Sequence, residues 1–355
     1  MSRTQRLANW ALALGLPVLL LAWIEGCASG LIALRAALDT VEAPAIRRHD
    51  ADLGWVSLPN LALPDFWGPG RDLHTNTRGF RGRREVAPEL PPGRFRVVCS
   101  GDSFAFGEGV GDDATWCHRL SVLDPRVEAV NLGQSGYGVD QAFLRYREQT
   151  SDLEVGLHVL SFIGPDLTRA GSDDFHGFAK PVFRLEGDAL VLTGVPVPRV
   201  LPTVRRFLSG LADELRTVQF VRRGTKKLFG KRRPDPQEIF ARLGPTLRRI
   251  FAEADALARS RDSETLFVYL PLQSEIHEDG RWRGFVRDSF ARSGLPFVDL
   301  TEALRALPED EAQLVFLQTG DAAGHYAERG NAWAAQVLEP LLRSRVDAAL
   351  ARPVP

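Results

Sequence analysis

The sequence predicts an α/β domain, a five-stranded parallel sheet sandwiched by helices. Three observations carry this. Apolar runs at 96–100, 127–131, 157–163, 265–270 and 296–300 each have the length of a strand. The run at 157–163 is apolar apart from His158 and Ser161, the pattern of a strand covered on both faces. Segments with helical period lie between the runs, and strand and helix in alternation build a parallel sheet. Composition agrees: 44% hydrophobic and 25% charged residues suit a packed core, and a net charge of -1 offers nothing to nucleic acid.

The chain opens with Arg3 and Arg6, then an apolar run over 8–23. Beyond Glu25 and Gly26, small and apolar residues continue over 27–34. Together the two parts have the length of a bilayer span, and basic residues ahead of a span favour a cytoplasmic amino terminus. The expectation is a transmembrane helix anchoring the chain over 1–36, with the remainder on the periplasmic or outer face. A cleaved signal peptide is a second reading of the same residues. Ile24-Glu25-Gly26-Cys27 also faintly resembles a lipoprotein processing site.

Residues 37–92 are rich in proline, glycine and charge, with no sustained period, and read as a linker and lid-like lead-in packed on the domain. The main domain is expected over 93–350. Its first helix falls at 115–122. The next, at 140–150, begins on the acidic cap Asp140. An insertion at about 167–245 follows the third strand. It holds a hairpin, 181–185 and 189–193 around Glu186-Gly187-Asp188, then a helix over 201–220. A basic cluster over 222–233 follows, either a solvated loop or a surface for anionic headgroups or an acidic polymer. Helices at 236–260, 282–293 and 330–349 complete the alternation. Three cysteines are too few for a disulfide framework, so Cys99 and Cys117 read as small buried hydrophobes. No Cys/His cluster has zinc-like spacing, and neither a metal nor an organic cofactor is implied.

Chemistry concentrates where the first strand ends, in Cys99-Ser100-Gly101-Asp102-Ser103, with Gly107 and Gly109 beyond. The carboxyl ends of parallel strands are where such sheets bind ligands. A serine there serves as a nucleophile if a base reaches it, or otherwise as a helix cap. His325 is the best base, in a loop before the last helix.

Gly101-Asp102-Ser103 with Gly107 and Gly109 resembles the first block of the GDSL/SGNH hydrolases, a family named for a serine, a glycine, an asparagine and a histidine in four blocks. The lead-in, with Gly54-Trp55 and Asn76-Thr77-Arg78-Gly79-Phe80-Arg81-Gly82, is similar to that of its membrane-anchored bacterial members. The resemblance implies a flavodoxin-like three-layer α/β/α sandwich. It makes Ser103 the nucleophile, His325 the base, and the amides of Ser103 and Gly136 the oxyanion donors. Asp321 becomes the acid that orients His325, although it lies four residues before the histidine where the family uses three or two; the alternative is a dyad with a backbone carbonyl as orienter. The asparagine block departs more sharply. It reads Ile163-Gly164-Pro165-Asp166, and Pro165 has neither a side-chain donor nor an N–H. Asn131, Gln134 or water are the candidate replacements. The implied activity is hydrolysis or transfer of an acyl group, on a short acyl ester of an extracytoplasmic carbohydrate. The alternative, prompted by Pro165, is a weakly active or inactive polysaccharide-binding or assembly protein. The expected partners are therefore an ester substrate, a cell-surface polysaccharide and the membrane, and not nucleic acid.

Overall fold

A computed structural model of the protein describes residues 3–38, 46–176, 178–198 and 236–351. The chain divides into two compact units. Among the described residues the first holds one long helix, α1 (Arg3–Leu38), with Pro17 inside it. The expected transmembrane helix is not found: among the described residues no helix is long and apolar enough to cross a membrane. Pro17 and the Glu25-Gly26 pair interrupt the apolar run over which the transmembrane helix was expected. The helix expected at 201–220 and the basic cluster at 222–233 lie outside the described residues.

The second unit holds the predicted sheet. Its strands are β1 (Phe95–Ser100), β2 (Val127–Asn131), β3 (Leu157–Phe162), β4 (Glu264–Tyr269) and β5 (Phe297–Asp299). They pair in parallel throughout, in the spatial order β5-β4-β3-β1-β2. Read from the other edge this is 2-1-3-4-5, the flavodoxin-like order. β1 and β3 are buried along their whole length, which is why neither shows hydrophobic–polar alternation.

Helices cover both faces. On one side lie α2 (Ser103–Phe106), α3 (Trp116–Leu123) and the closing helix Glu328–Leu350, whose Trp116, Leu120, Trp333, Leu338 and Leu342 pack on Val97, Cys99 and Val159. On the other lie α4 (Val139–Gln149) and the helices Pro236–Arg259 and Arg283–Ser293, with Phe143, Phe251 and Phe290 against Phe162 and Phe267. The result is a three-layer sandwich. The hairpin forms from Val182–Glu186 and Ala189–Thr193. A short helix that periodicity did not reveal, α5 (Gly164–Arg169), follows β3.

One expectation changes. Cys99 and Cys117 are not separate hydrophobes. They form a disulfide joining β1 to the first turn of α3, with Cα atoms 6.2 Å apart, because the packing of helix on strand brings both side chains to one point. The lead-in packs on the domain. Leu53, Trp55, Val56, Leu73 and Phe80 are buried, and Arg47–Asp50 pairs with Gly54–Ser57 as a small antiparallel ribbon.

Candidate active site

The site forms at the carboxyl edge of the sheet, where β1 stops. Gly101 makes the turn possible. A side chain there would bring a Cβ to 2.5 Å from the Ser161 carbonyl oxygen of neighbouring β3. Asp102 then caps α2, its Oδ1 accepting the Phe104 N–H at 2.9 Å. The capping role that serine might have played is therefore taken by Asp102, and Ser103 stands at the first helical position with its hydroxyl free to face the site. Behind it, the Arg81 guanidinium is buried and holds the end of the turn. It donates to the carbonyls of Phe106, Gly107 and Val110 and pairs with Asp112 at 2.6 Å. Trp116 Nε1 adds a bond to the Phe104 carbonyl at 3.1 Å.

His325 reaches Ser103 across 222 residues of sequence, with Nε2 2.8 Å from Oγ. Its loop is closed on both sides. Leu317 N–H donates to the His325 carbonyl at 2.8 Å, Gly324 N–H to the Leu317 carbonyl at 2.7 Å and Ala327 N–H to the Val315 carbonyl at 2.8 Å. The Phe104 ring packs against the imidazole with centroids 5.0 Å apart. Nδ1 lies 3.0 Å from the Ala322 carbonyl oxygen. A carbonyl only accepts, so Nδ1 carries the proton and Nε2 presents its lone pair to the serine, the tautomer a general base needs.

This corrects the expected orienting acid. Asp321 is exposed, and the partner of His325 Nδ1 is the backbone of the following residue. The physical reason is the turn at Gly324, whose φ of +85° folds the loop so that the Ala322 carbonyl, not the Asp321 side chain, faces the ring. The side chains form a Ser–His dyad with a carbonyl orienter.

Gly136 lies in the loop after β2, with φ +86° and the Phe175 ring against it. Neither its amide nor that of Ser103 is donated to another backbone group among the described residues, as oxyanion donors require. The loop is held from beneath by the buried guanidinium of Arg145, which donates to the Leu132 and Gly133 carbonyls, Gln134 Oε1 and the lead-in's Gly79 carbonyl at 3.1–3.2 Å. Ser57 donates to Gln134 Oε1 through both N–H and Oγ at 2.9 Å. The lead-in is thus a wall of the site.

Of the proposed replacements for the asparagine, Asn131 has its amide nitrogen already committed, and Gln134 is held through its carbonyl oxygen. Asn131 Nδ2 donates to the Ala105 carbonyl at 2.8 Å, and its Oδ1 accepts from Gly133 N–H. Gln134 Oε1 receives the bonds just described. Pro165 itself is comfortable in the first turn of α5, where a missing N–H costs nothing. Asp166 caps that helix by accepting the Ile163 N–H at 3.0 Å. Burial, and then the nearby Asp102 charge, push its carboxyl well above the usual range.

A backbone carbonyl was the alternative orienter, though its place at Ala322 was not foreseen; sequence reasoning missed Asp102 as cap and Arg169, which joins Asp102 to Asp166. The only sequence signal for the last was an arginine one helical turn beyond Pro165.

No family model matches the chain, and no curated protein matches it. The solved structures similar to it include a lipolytic protein of the G-D-S-L family from Desulfitobacterium hafniense, 14% identical, covering 69% of this chain and 100% of that one at a TM-score of 0.38. A second is a member of the lipolytic G-D-S-L family from Veillonella parvula, at 14% identity, 70% and 98% coverage and a TM-score of 0.37. A third is an acetyl xylan esterase, at 12% identity, 70% and 100% coverage and a TM-score of 0.41. At these scores none of them bears on the chemistry, which rests on the side chains described above.

Proposed function

We propose that this chain is a serine-dependent ester hydrolase of the SGNH type, with Ser103 as nucleophile and His325 as its base. One observation carries the reading: the 2.8 Å contact between His325 Nε2 and Ser103 Oγ at the carboxyl edge of a parallel sheet. Nε2 removes the hydroxyl proton as Oγ adds to the ester carbonyl. The amides of Ser103 and Gly136 receive the developing oxyanion. The imidazolium, held by the Ala322 carbonyl, returns the proton to the leaving alkoxide, and the acyl group remains on Oγ. A water deprotonated by the same nitrogen then releases the acid and restores the serine. A sugar hydroxyl in place of that water turns hydrolysis into acyl transfer.

The finer reading is a short acyl ester on an extracytoplasmic carbohydrate. Its supports are the family resemblance of the sequence and the buried Cys99–Cys117 disulfide, a bond that persists in oxidising compartments. A second reading, a binding or assembly protein with little turnover, is favoured by Pro165 alone.

The test is a fluorophosphonate probe and a series of aryl esters from acetyl to long-chain acyl, given to the wild-type protein and to Ser103→Ala. Labelling and hydrolysis that both vanish in Ser103→Ala, with acetyl preferred, are expected. A folded wild-type protein that neither labels nor hydrolyses, yet binds acetylated glycan equally well with and without Ser103, establishes the second reading instead.

A further inference from the structure

We propose that Arg169 supplies the oxyanion donor that Pro165 cannot, reaching the acyl oxygen from one turn further along the same helix. The proposal rests on the hydrolase reading above and deepens it. Positions one turn apart on a helix share a face, so a longer side chain at 169 can reach the region that a short one at 165 would have served.

The contacts place the guanidinium at the site. Arg169 Nη1 donates to Asp166 Oδ1 at 2.5 Å, to the Tyr137 carbonyl at 3.2 Å and to Asp102 Oδ2 at 3.4 Å. Asp102 Oδ2 in turn lies 3.3 Å from Ser103 Oγ. Tyr137 directly follows Gly136. One nitrogen therefore touches the neighbours of both amide donors. Nε and Nη2 donate to nothing among the described residues, and the side chain is 22% exposed, so three N–H groups of a permanent cation remain uncommitted beside Asp102 and the Gly136 loop.

The guanidinium is also held in place. The Phe175 ring, the same one that covers Gly136, lies 5.0 Å beneath it. The carboxyl end of α5 is clamped by the buried Lys180 ammonium, which donates to the Arg169 carbonyl at 3.3 Å, the Ser172 carbonyl at 2.9 Å and Asp140 Oδ2 at 2.6 Å. Preorganisation of this kind is what lets a donor act without reorganising during the reaction. The local charge permits it: Asp102 and Asp166 flank the guanidinium and Glu108 acts on it from farther away. Burial favours the neutral form of Asp166, which leaves the cation less fully compensated.

The experiment measures kcat and KM for an acetyl ester in wild type, Arg169→Ala, Arg169→Lys, Pro165→Asn and the double variant Pro165→Asn/Arg169→Ala, each checked by its melting curve. Arg169→Ala is expected to lower kcat about a hundred- to a thousandfold with KM changed little, the loss typical of one oxyanion donor. Arg169→Lys should retain an intermediate rate. Pro165→Asn should restore the double variant at least about tenfold over Arg169→Ala, because a shorter donor now fills the gap. A purely structural arginine gives a loss that follows the melting temperature and is not rescued at position 165. That outcome, or a kcat for Arg169→Ala within about threefold of wild type, overturns the proposal while Ser103-dependent turnover of the wild type stands. Absence of wild-type turnover and labelling overturns both readings together.

Discussion

Acid should weaken this fold through one buried histidine on the strand beside Ser100. His158 lies on β3 with no exposed surface, its ring stacked 3.6 Å from that of Tyr146. Nε2 sits 2.6 Å from Ser100 Oγ, three residues before Ser103, and Nδ1 is buried with no partner. Protonation would put a charge and a second N–H where nothing accepts it. Burial, aided by the Arg261 charge, accordingly pushes its pKa down to about 3. In the unfolded chain the value is about 6.5. Between the two the unfolded state binds the additional proton, so the contribution to stability is fully present above about pH 6.5 and is lost as pH falls toward 3. At about 1.4 kcal/mol per pH unit, the interval from 6.5 to 4 amounts to roughly 3 kcal/mol. The assay is urea denaturation of wild type and His158→Phe at pH 7 and pH 4. Carboxylates common to both proteins cancel in the difference. The gap between the two unfolding free energies should move by roughly 3 kcal/mol in favour of the variant on acidification. A gap constant to within about 0.5 kcal/mol would show that the histidine titrates alike in both states, and would refute the argument.

Asp321→Ala should leave kcat and KM of ester hydrolysis within about threefold of wild type, because the exposed carboxylate does not meet His325; a loss of the size removing a triad acid produces, about 10⁴-fold, restores Asp321 as the orienter. Gly136→Ala should cost tenfold or more in kcat, roughly, since a Cβ there comes within 2.5 Å of the Phe175 ring at a φ of +86°; an unchanged rate removes Gly136 from the oxyanion hole. Cys99→Ser/Cys117→Ser should lower unfolding free energy by about 3 kcal/mol, read by denaturant titration under oxidising conditions, and an identical midpoint for the two proteins means the bond does not form.

The sheet was legible in the sequence because each strand is a short apolar run with helical pattern on either side, and all five runs became parallel strands. The helices flanking them were legible for the same reason, to within a residue or two at their ends. Ser103 and His325 were legible as a pair because one closes the first strand and the other precedes the last helix, an order that lands both on one sheet edge. α5 was not, because six residues are too few to show a period. The strap over 46–92 was read as a linker because its order comes from polar bonds to Arg145, Gln134 and Asn131, which leave no hydrophobic repeat.

By itself, then, the sequence determined the layers, the strand order's raw material and the two side chains proposed to react, since these depend on local period and on position along the chain. Only the tertiary structure decided the partners: which atom lies against His325 Nδ1, that Cys99 meets Cys117, and that Arg169 reaches Asp102 and Asp166. Those are distances of a few ångströms between loops and helix ends, set by how a turn folds and how a helix seats on its strand, and residue spacing does not encode them.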